Sequence, residues 1–214
     1  MNETSLQAYR LACARGDRQL FCDINFEIKA GEALWLAGAN GSGKTSLLRL
    51  LCGLTAPVIG EVRWGGRDIQ NLREEFYQDL IYFSHASSVK DDLTAWENVL
   101  IGSKLSGRKC NREYAHYALN QVGLMRAANS LTRTLSQGQR KRVALARLCI
   151  HPVPKLVILD EPFTGLDQDA IGALCGVLNQ HLAQGGIVVY TTHQELTLKP
   201  ERLHFLDLSQ TASC

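Results

Sequence analysis

A chain of 214 residues, 45% of them hydrophobic, is long enough to bury a sizeable core and suits one compact domain, possibly with a subdomain. Its 23 basic and 21 acidic residues nearly balance at a net charge of +2, so composition makes no electrostatic case for a nucleic-acid partner. No stretch approaches the ~18–20 consecutive apolar residues of a membrane span, and the opening MNETSLQAYRLACARGD has no apolar signal-peptide core. The expectation is a cytoplasmic chain whose membrane role, if any, needs a partner.

In chain order, the opening third reads as strands. Ile24, Phe26 and Ile28 alternate with Asn25, Glu27 and Lys29, the period of two of a half-buried strand. Gly31-Glu32 makes a turn, and the apolar run Ala33–Ala37 leads into GANGSGKT at 38–45. That octapeptide fits G-x-x-x-x-G-K-[ST], with Gly38, Gly43, Lys44 and Thr45 at the fixed positions. The loop Gly38, Ala39, Asn40, Gly41, Ser42, Gly43 can curl so that backbone N–H groups point inward at a β-phosphate. Lys44 would neutralise phosphate charge, and the Thr45 hydroxyl can ligate Mg²⁺. Leu47, Leu48, Leu50 and Leu51 then recur at helical spacing up to Gly53, completing the strand–loop–helix context of such a loop.

Gly60 to Ile69 reads as a hairpin around Gly65-Gly66. A helical region follows from about Leu93 to Ile150. Thr94 and Glu97 form a capping box there, and Ala115, Ala118, Leu119 and Val122 mark a buried face ending near Gly123. LSQGQ at 135–139 opens a helix at Ser136 that stops before Pro152. Ser136 and Gln139 have capping-box spacing, so they either merely start that helix or offer its free N–H groups to an anion. Arg140, Lys141 and Arg142 read as a solvated face with internal ion pairs.

Leu156–Leu159 is a short apolar strand of the parallel-sheet kind, ending at Asp160 and Glu161. Alternation predicts these two carboxylates on opposite sides. Asp160 can reach the Mg²⁺ shell opposite Thr45, and Glu161 can accept a proton from, or orient, a water attacking the γ-phosphate. The bland reading is a solvated strand end. Helical residues from about Gln168 to Gln184 lead through Gly185-Gly186 to the strand Ile187–Tyr190, with His193 just beyond. The seven cysteines, at 13, 22, 52, 110, 149, 175 and 214, are odd in number and lack a C-x-x-C pair; they read as small buried hydrophobes rather than a disulfide framework or zinc site.

GANGSGKT followed by LSQGQ resembles the ATP-binding subunits of ABC transporters, along the whole chain. The resemblance implies an α/β fold: a P-loop ABC-type ATPase core with an N-terminal antiparallel β part and a helical subdomain inserted at roughly 90–150, all within one domain spanning 1–214. It implies hydrolysis of ATP to ADP and phosphate by a dimer of two copies. Ser136, Gly138 and Gln139 would meet the ATP bound by the other protomer, Phe163–Asp167 would cross the interface, and His193 would face the γ-phosphate. Tyr82-Phe83-Ser84-His85, Leu93–Asn98 and GGIVVYTTHQEL at 185–196 are similar, more narrowly, to the CcmA family, the heme-exporter ATP-binding subunits of bacterial cytochrome c maturation. That implies a peripheral protein on the cytoplasmic face of the inner membrane, with a CcmB-like integral membrane subunit and further cytochrome c maturation proteins as partners.

Two positions depart from the broad pattern. His85 stands where most members carry a glutamine that contacts Mg²⁺, and either serves the metal site or is a packed histidine. Arg15 stands where an aromatic usually stacks on adenine, so the base either stacks on a guanidinium or is held weakly. Two other classes compete with the transporter reading. A soluble ABC ATPase of DNA repair or translation usually has tandem cassettes or a long coiled-coil insertion, neither of which is seen here. A non-catalytic nucleotide-binding module is opposed by Lys44, Asp160, Glu161, Ser136 and His193.

Overall fold

A computed structural model of the protein describes residues 4–16, 18–84 and 88–210. In chain order the strands are β1 (Ser5–Arg15), β2 (Arg18–Lys29), β3 (Ala33–Ala37), β4 (Ile59–Trp64), β5 (Arg67–Asp68), β6 (Leu80–Phe83), β7 (Leu156–Leu159), β8 (Ile187–Thr191) and β9 (Leu203–Asp207). The helices are α1 (Lys44–Leu51), α2 (Ile69–Asp79), α3 (Ala95–Leu105), α4 (Arg112–Gln121), α5 (Gln137–Leu145) and α6 (Gln168–Ala183).

Two sheets result. The antiparallel one runs β2-β1-β4-β5, and the parallel one runs β6-β7-β8-β3-β9. In β2 the expected alternation holds at Ile24 and Ile28, which are buried, with Phe26 half-buried. Asp23, at φ 49, interrupts the period, so that Phe21 and Ile24, three apart, both face the core. The hairpin at Gly65-Gly66 forms with both glycines at positive φ, but its second arm is only two residues long. Asp68 instead caps α2, accepting from the Gln70 N–H at 2.9 Å. α2 and the edge strand β9 have no counterpart in the sequence reading, although Ile69, Leu72 and Phe76 bury a face of α2 at helical spacing.

The parallel sheet is covered on both sides, and its apolar runs divide by parity. Leu156, Ile158, Ile187 and Val189 pack with Leu47, Leu48, Leu50 and Leu51 of α1. Val157, Leu159, Val188 and Tyr190 pack on the other side with Leu174, Leu178 and Leu182 of α6. A separate apolar cluster joins Val99 of α3, Ala115, Ala118 and Leu119 of α4, and Val143 of α5. The capping box of α3 is present, with the Glu97 carboxylate accepting from the Thr94 N–H at 2.8 Å. Cys52, Cys110, Cys149 and Cys175 are buried free thiols. Cys22 departs from the expectation because it is disulfide-bonded; spacing along a chain does not tell which sulfurs meet in space.

Gly186, at the start of β8, lies against the end of α6. A Cβ there would fall 2.1 Å from His181 Nε2, so the imidazole, 7% exposed, occupies space that only glycine leaves open. Burial pushes the His181 pKa below its ordinary 6.5. Well above pH 6.5 the ring is neutral whether folded or unfolded, and it costs nothing. Below that, the unfolded chain takes up a proton that the folded chain refuses, so stability falls with pH by at most about 1.4 kcal/mol per unit from this group. His181→Leu should flatten that part of the profile, read as denaturation midpoints between pH 5 and 7.5. Parallel profiles for the two proteins would reject the assignment.

Candidate functional site

The carboxyl ends of β7, β8 and β3, three adjacent strands, bring together the segments that carry chemistry, which is where open α/β sheets bind ligands. The loop after β3 turns on glycines. Gly38 sits at φ 141, where a Cβ would be 2.6 Å from Ser42 Oγ. Gly43 sits at φ 103, where a Cβ would be 3.1 Å from the Phe21 ring. Gly43 is also the N-cap of α1 and offers no side-chain cap, so the first N–H groups of that helix are open to an anion. The Ser42 hydroxyl is buried with no hydrogen-bond partner. Lys44 is 8% exposed and curls over the loop, donating to the carbonyls of Gly38 (2.6 Å) and Ala39 (3.2 Å).

Thr45, the second residue of α1, donates its hydroxyl to Asp160 Oδ2 at 2.8 Å. Asp160 is 4% exposed, and its Oδ1 accepts from the Thr191 hydroxyl at 3.1 Å. Hydroxyl and carboxylate form an oxygen-only donor set at the foot of the glycine loop, the chemistry that suits Mg²⁺. Next in sequence, Glu161 takes φ 49, a left-handed conformation rare outside glycine. Strand alternation therefore does not govern its direction: β7 has ended at Leu159, and Glu161 turns back to line the same cleft as Lys44 and Thr45. Its Oε1 lies 3.6 Å from His193 Nε2, and its Oε2 accepts from the Thr164 hydroxyl at 3.4 Å.

The cleft has a volume of about 250 Å³, and Arg15, Leu20, Asn40, Gly41, Gly43 and Ser46 complete its walls. Arg15, at the end of β1, thus reaches the P-loop, and among the described residues no aromatic ring lines the cleft. A cavity of about 930 Å³ opens beside Arg108 and Tyr117, but it has neither the glycine loop nor the carboxylate pair. Chemistry rather than size picks out the site.

Ser136, Gly138 and Gln139 are not among the residues lining that cleft. They start α5 through a reciprocal cap, with the Gln139 N–H donating to Ser136 Oγ at 3.2 Å and the Ser136 N–H to Gln139 Oε1 at 2.9 Å. A Cβ on Gly138 would stand 2.7 Å from the Gly165 carbonyl oxygen, so the helix start packs directly on the loop after Glu161. His85 lies outside the described residues.

The basic run after LSQGQ differs from the solvated face expected of it. Arg140 does pair with Asp91. Lys141, however, is half-buried and donates to the carbonyls of Glu161 (2.8 Å) and Thr164 (3.0 Å), while Arg142 reaches the Val122 carbonyl at 3.4 Å. Burial pushes the Lys141 pKa down, against the opposing pull of Glu161 and Asp160. Thr191 also escaped notice. It is fully buried, and its oxygen accepts from the Glu161 N–H at 2.8 Å while its proton goes to Asp160. The available signal was a hydroxyl ending the otherwise apolar run Ile187–Tyr190.

A glycine loop on a helix N-terminus, a hydroxyl–carboxylate pair below it and a second carboxylate beside a histidine define an ATP-binding cassette. The family model for the ABC transporter matches residues 21–164. The cytochrome c biogenesis ATP-binding export protein CcmA of Nitrosomonas europaea is 47% identical, over 95% of this chain and 95% of its own. The protein of the same name from Nitrosospira multiformis is 44% identical, over 96% of this chain and 99% of its own. A solved dimeric bacterial ABC transporter cassette superposes with a TM-score of 0.81 at 26% identity, over 95% of each chain. The chain belongs to the ABC transporter family and, within it, to the cytochrome c biogenesis ATP-binding export proteins. It is an ABC-type ATPase.

Proposed function

We propose that this ATPase is the energy-coupling subunit of a membrane complex that exports heme for c-type cytochrome biogenesis. The observation that carries the reading is the 47% identity, over nearly the full length of both chains, to a relative named for export in cytochrome c biogenesis. In this reading residues 1–214 are one domain, with a helical subdomain at roughly 90–150. The loop from Gly38 to Gly43 and Lys44 hold the phosphates, and Arg15 takes the side of the base. Thr45 and Asp160 hold Mg²⁺, which supplies charge neutralisation on the phosphate oxygens. Glu161 accepts the proton of the attacking water, and His193, beside it, turns toward the γ-phosphate.

Ser136, Gly138 and Gln139 act on the ATP of a second copy of the chain, since they do not line their own chain's cleft. Closure of such a dimer around two ATP molecules, and its release by hydrolysis, drives the membrane partner. No helix among the described residues is long and apolar enough to cross a membrane. Attachment to the cytoplasmic face of the inner membrane therefore comes from a CcmB-like integral subunit, in company with other cytochrome c maturation proteins. His85, in this reading, serves the metal site or the coupling to that subunit.

The test is co-purification of the chain from gently solubilised membranes, with the bound proteins identified. An integral membrane subunit bound stoichiometrically, and stimulating ATP turnover, is the expected result. Recovery only with soluble partners would overturn the transporter reading.

A further inference from the structure

The residue given the role of base sits in a backbone conformation that a side-chain-bearing residue keeps only where its surroundings over-determine it. Both polar groups of its main chain are held, and by side chains from different parts of the fold. The Glu161 N–H donates to Thr191 Oγ1 at 2.8 Å, at the end of β8 in the parallel sheet. The Glu161 carbonyl accepts from Lys141 Nζ at 2.8 Å, from the middle of α5. Thr191 is 0% exposed, and its single proton goes to Asp160 Oδ1 at 3.1 Å, which leaves the oxygen free to accept the amide. One hydroxyl therefore sets the spacing between the two acidic residues, and one ammonium ties the second of them to the helix that opens with LSQGQ.

We propose that Thr191 and Lys141 are positioning residues for hydrolysis, a two-sided clamp on the Glu161 main chain that aims its carboxylate at the attacking water. The inference rests on the base role given to Glu161. A valine at 191 has nearly the shape of threonine but leaves the Glu161 amide and Asp160 Oδ1 without their partner. The turn at φ 49 then loses one of the two contacts that specify it. Because Lys141 belongs to α5, the aim of the carboxylate also depends on where that helix sits against the sheet. Nucleotide binding, by contrast, is assigned to the loop at 38–45, to which neither residue makes a hydrogen bond.

Steady-state ATPase kinetics, affinity for a fluorescent ATP analogue and melting temperature would be measured on the full chain for Thr191→Val, Thr191→Ser, Lys141→Met and Glu161→Gln. Thr191→Val is expected to lower kcat roughly 10- to 100-fold, the loss typical of a misplaced catalytic group, with KM and analogue affinity within about twofold of wild type. Thr191→Ser, which restores the hydroxyl, should return most of kcat, and Lys141→Met should lower kcat about 10-fold on its own. Wild-type kcat in Thr191→Val, losses of affinity that parallel the loss of kcat, or no rescue by serine would each overturn the clamp. Should Thr191→Val not fold, Lys141→Met decides alone, and wild-type turnover in it rejects the proposal. Inactive Glu161→Gln beside fully active Thr191→Val and Lys141→Met would sink the clamp alone, whereas an active Glu161→Gln would sink the base role beneath it.

Discussion

Glu161→Gln should bind ATP as the wild type does and hydrolyse it ~10²–10⁴-fold more slowly, the usual consequence of removing a general base. Glutamine keeps the length and branching of the side chain. The main-chain contacts to Thr191 and Lys141 are untouched, so the strained turn at φ 49 survives the change. What disappears is the carboxylate that lies 3.6 Å from His193 Nε2 and lines the cleft beside Lys44 and Thr45. If nucleotide binding closes two copies and cleavage reopens them, the variant with ATP should run as a dimer on size exclusion while the wild type does not. Phosphate release at the wild-type rate would remove Glu161 from the chemistry.

Two inactive chains should regain activity when mixed. Lys44→Ala removes the cation that spans the loop carbonyls of Gly38 and Ala39, and Ser136→Arg fills the exposed start of α5. Each alone spoils both sites of a symmetric dimer. If, as proposed, the loop at 38–45 and the helix at Ser136 of each site come from different copies, a mixed dimer carries one site with both defects and one with neither. Random pairing then leaves roughly a quarter of all sites intact. Ser136→Arg also forfeits a helix cap worth about 0.5–2 kcal/mol, so its melting temperature must be recorded beside its activity. No turnover from a mixture in which mixed dimers are demonstrated would mean that Ser136 does not act across the interface.

Much of this architecture is written locally. The parallel strands are continuous apolar runs because both faces of their sheet are covered, and the helices declare themselves through caps such as Thr94/Glu97 and Ser136/Gln139. The glycine loop is legible because Gly38, at φ 141, and Gly43, at φ 103, combine positive φ with close approaches that favour glycine. By contrast, β9 carries exposed Leu203 and Phe205 on the sheet edge, a pattern that hydrophobic alternation cannot find. α2 was hidden by the hairpin before it, whose second arm stops after two residues.

By itself, then, the sequence picked out the residues proposed for the chemistry: Lys44, Thr45, Asp160, Glu161 and His193 stand in motifs whose residue types and spacings suit phosphate, metal and proton transfer. Tertiary structure alone decided how they are held. Glu161 leaves the alternation of β7 because the chain turns left-handed there. Lys141 belongs to the site rather than to solvent because α5 packs against the loop after β7, and Thr191 bridges the Asp160 carboxylate and the Glu161 amide because β8 lies beside β7. Each of these contacts joins residues 20 to 31 positions apart, through strand order and helix packing that no local pattern encodes.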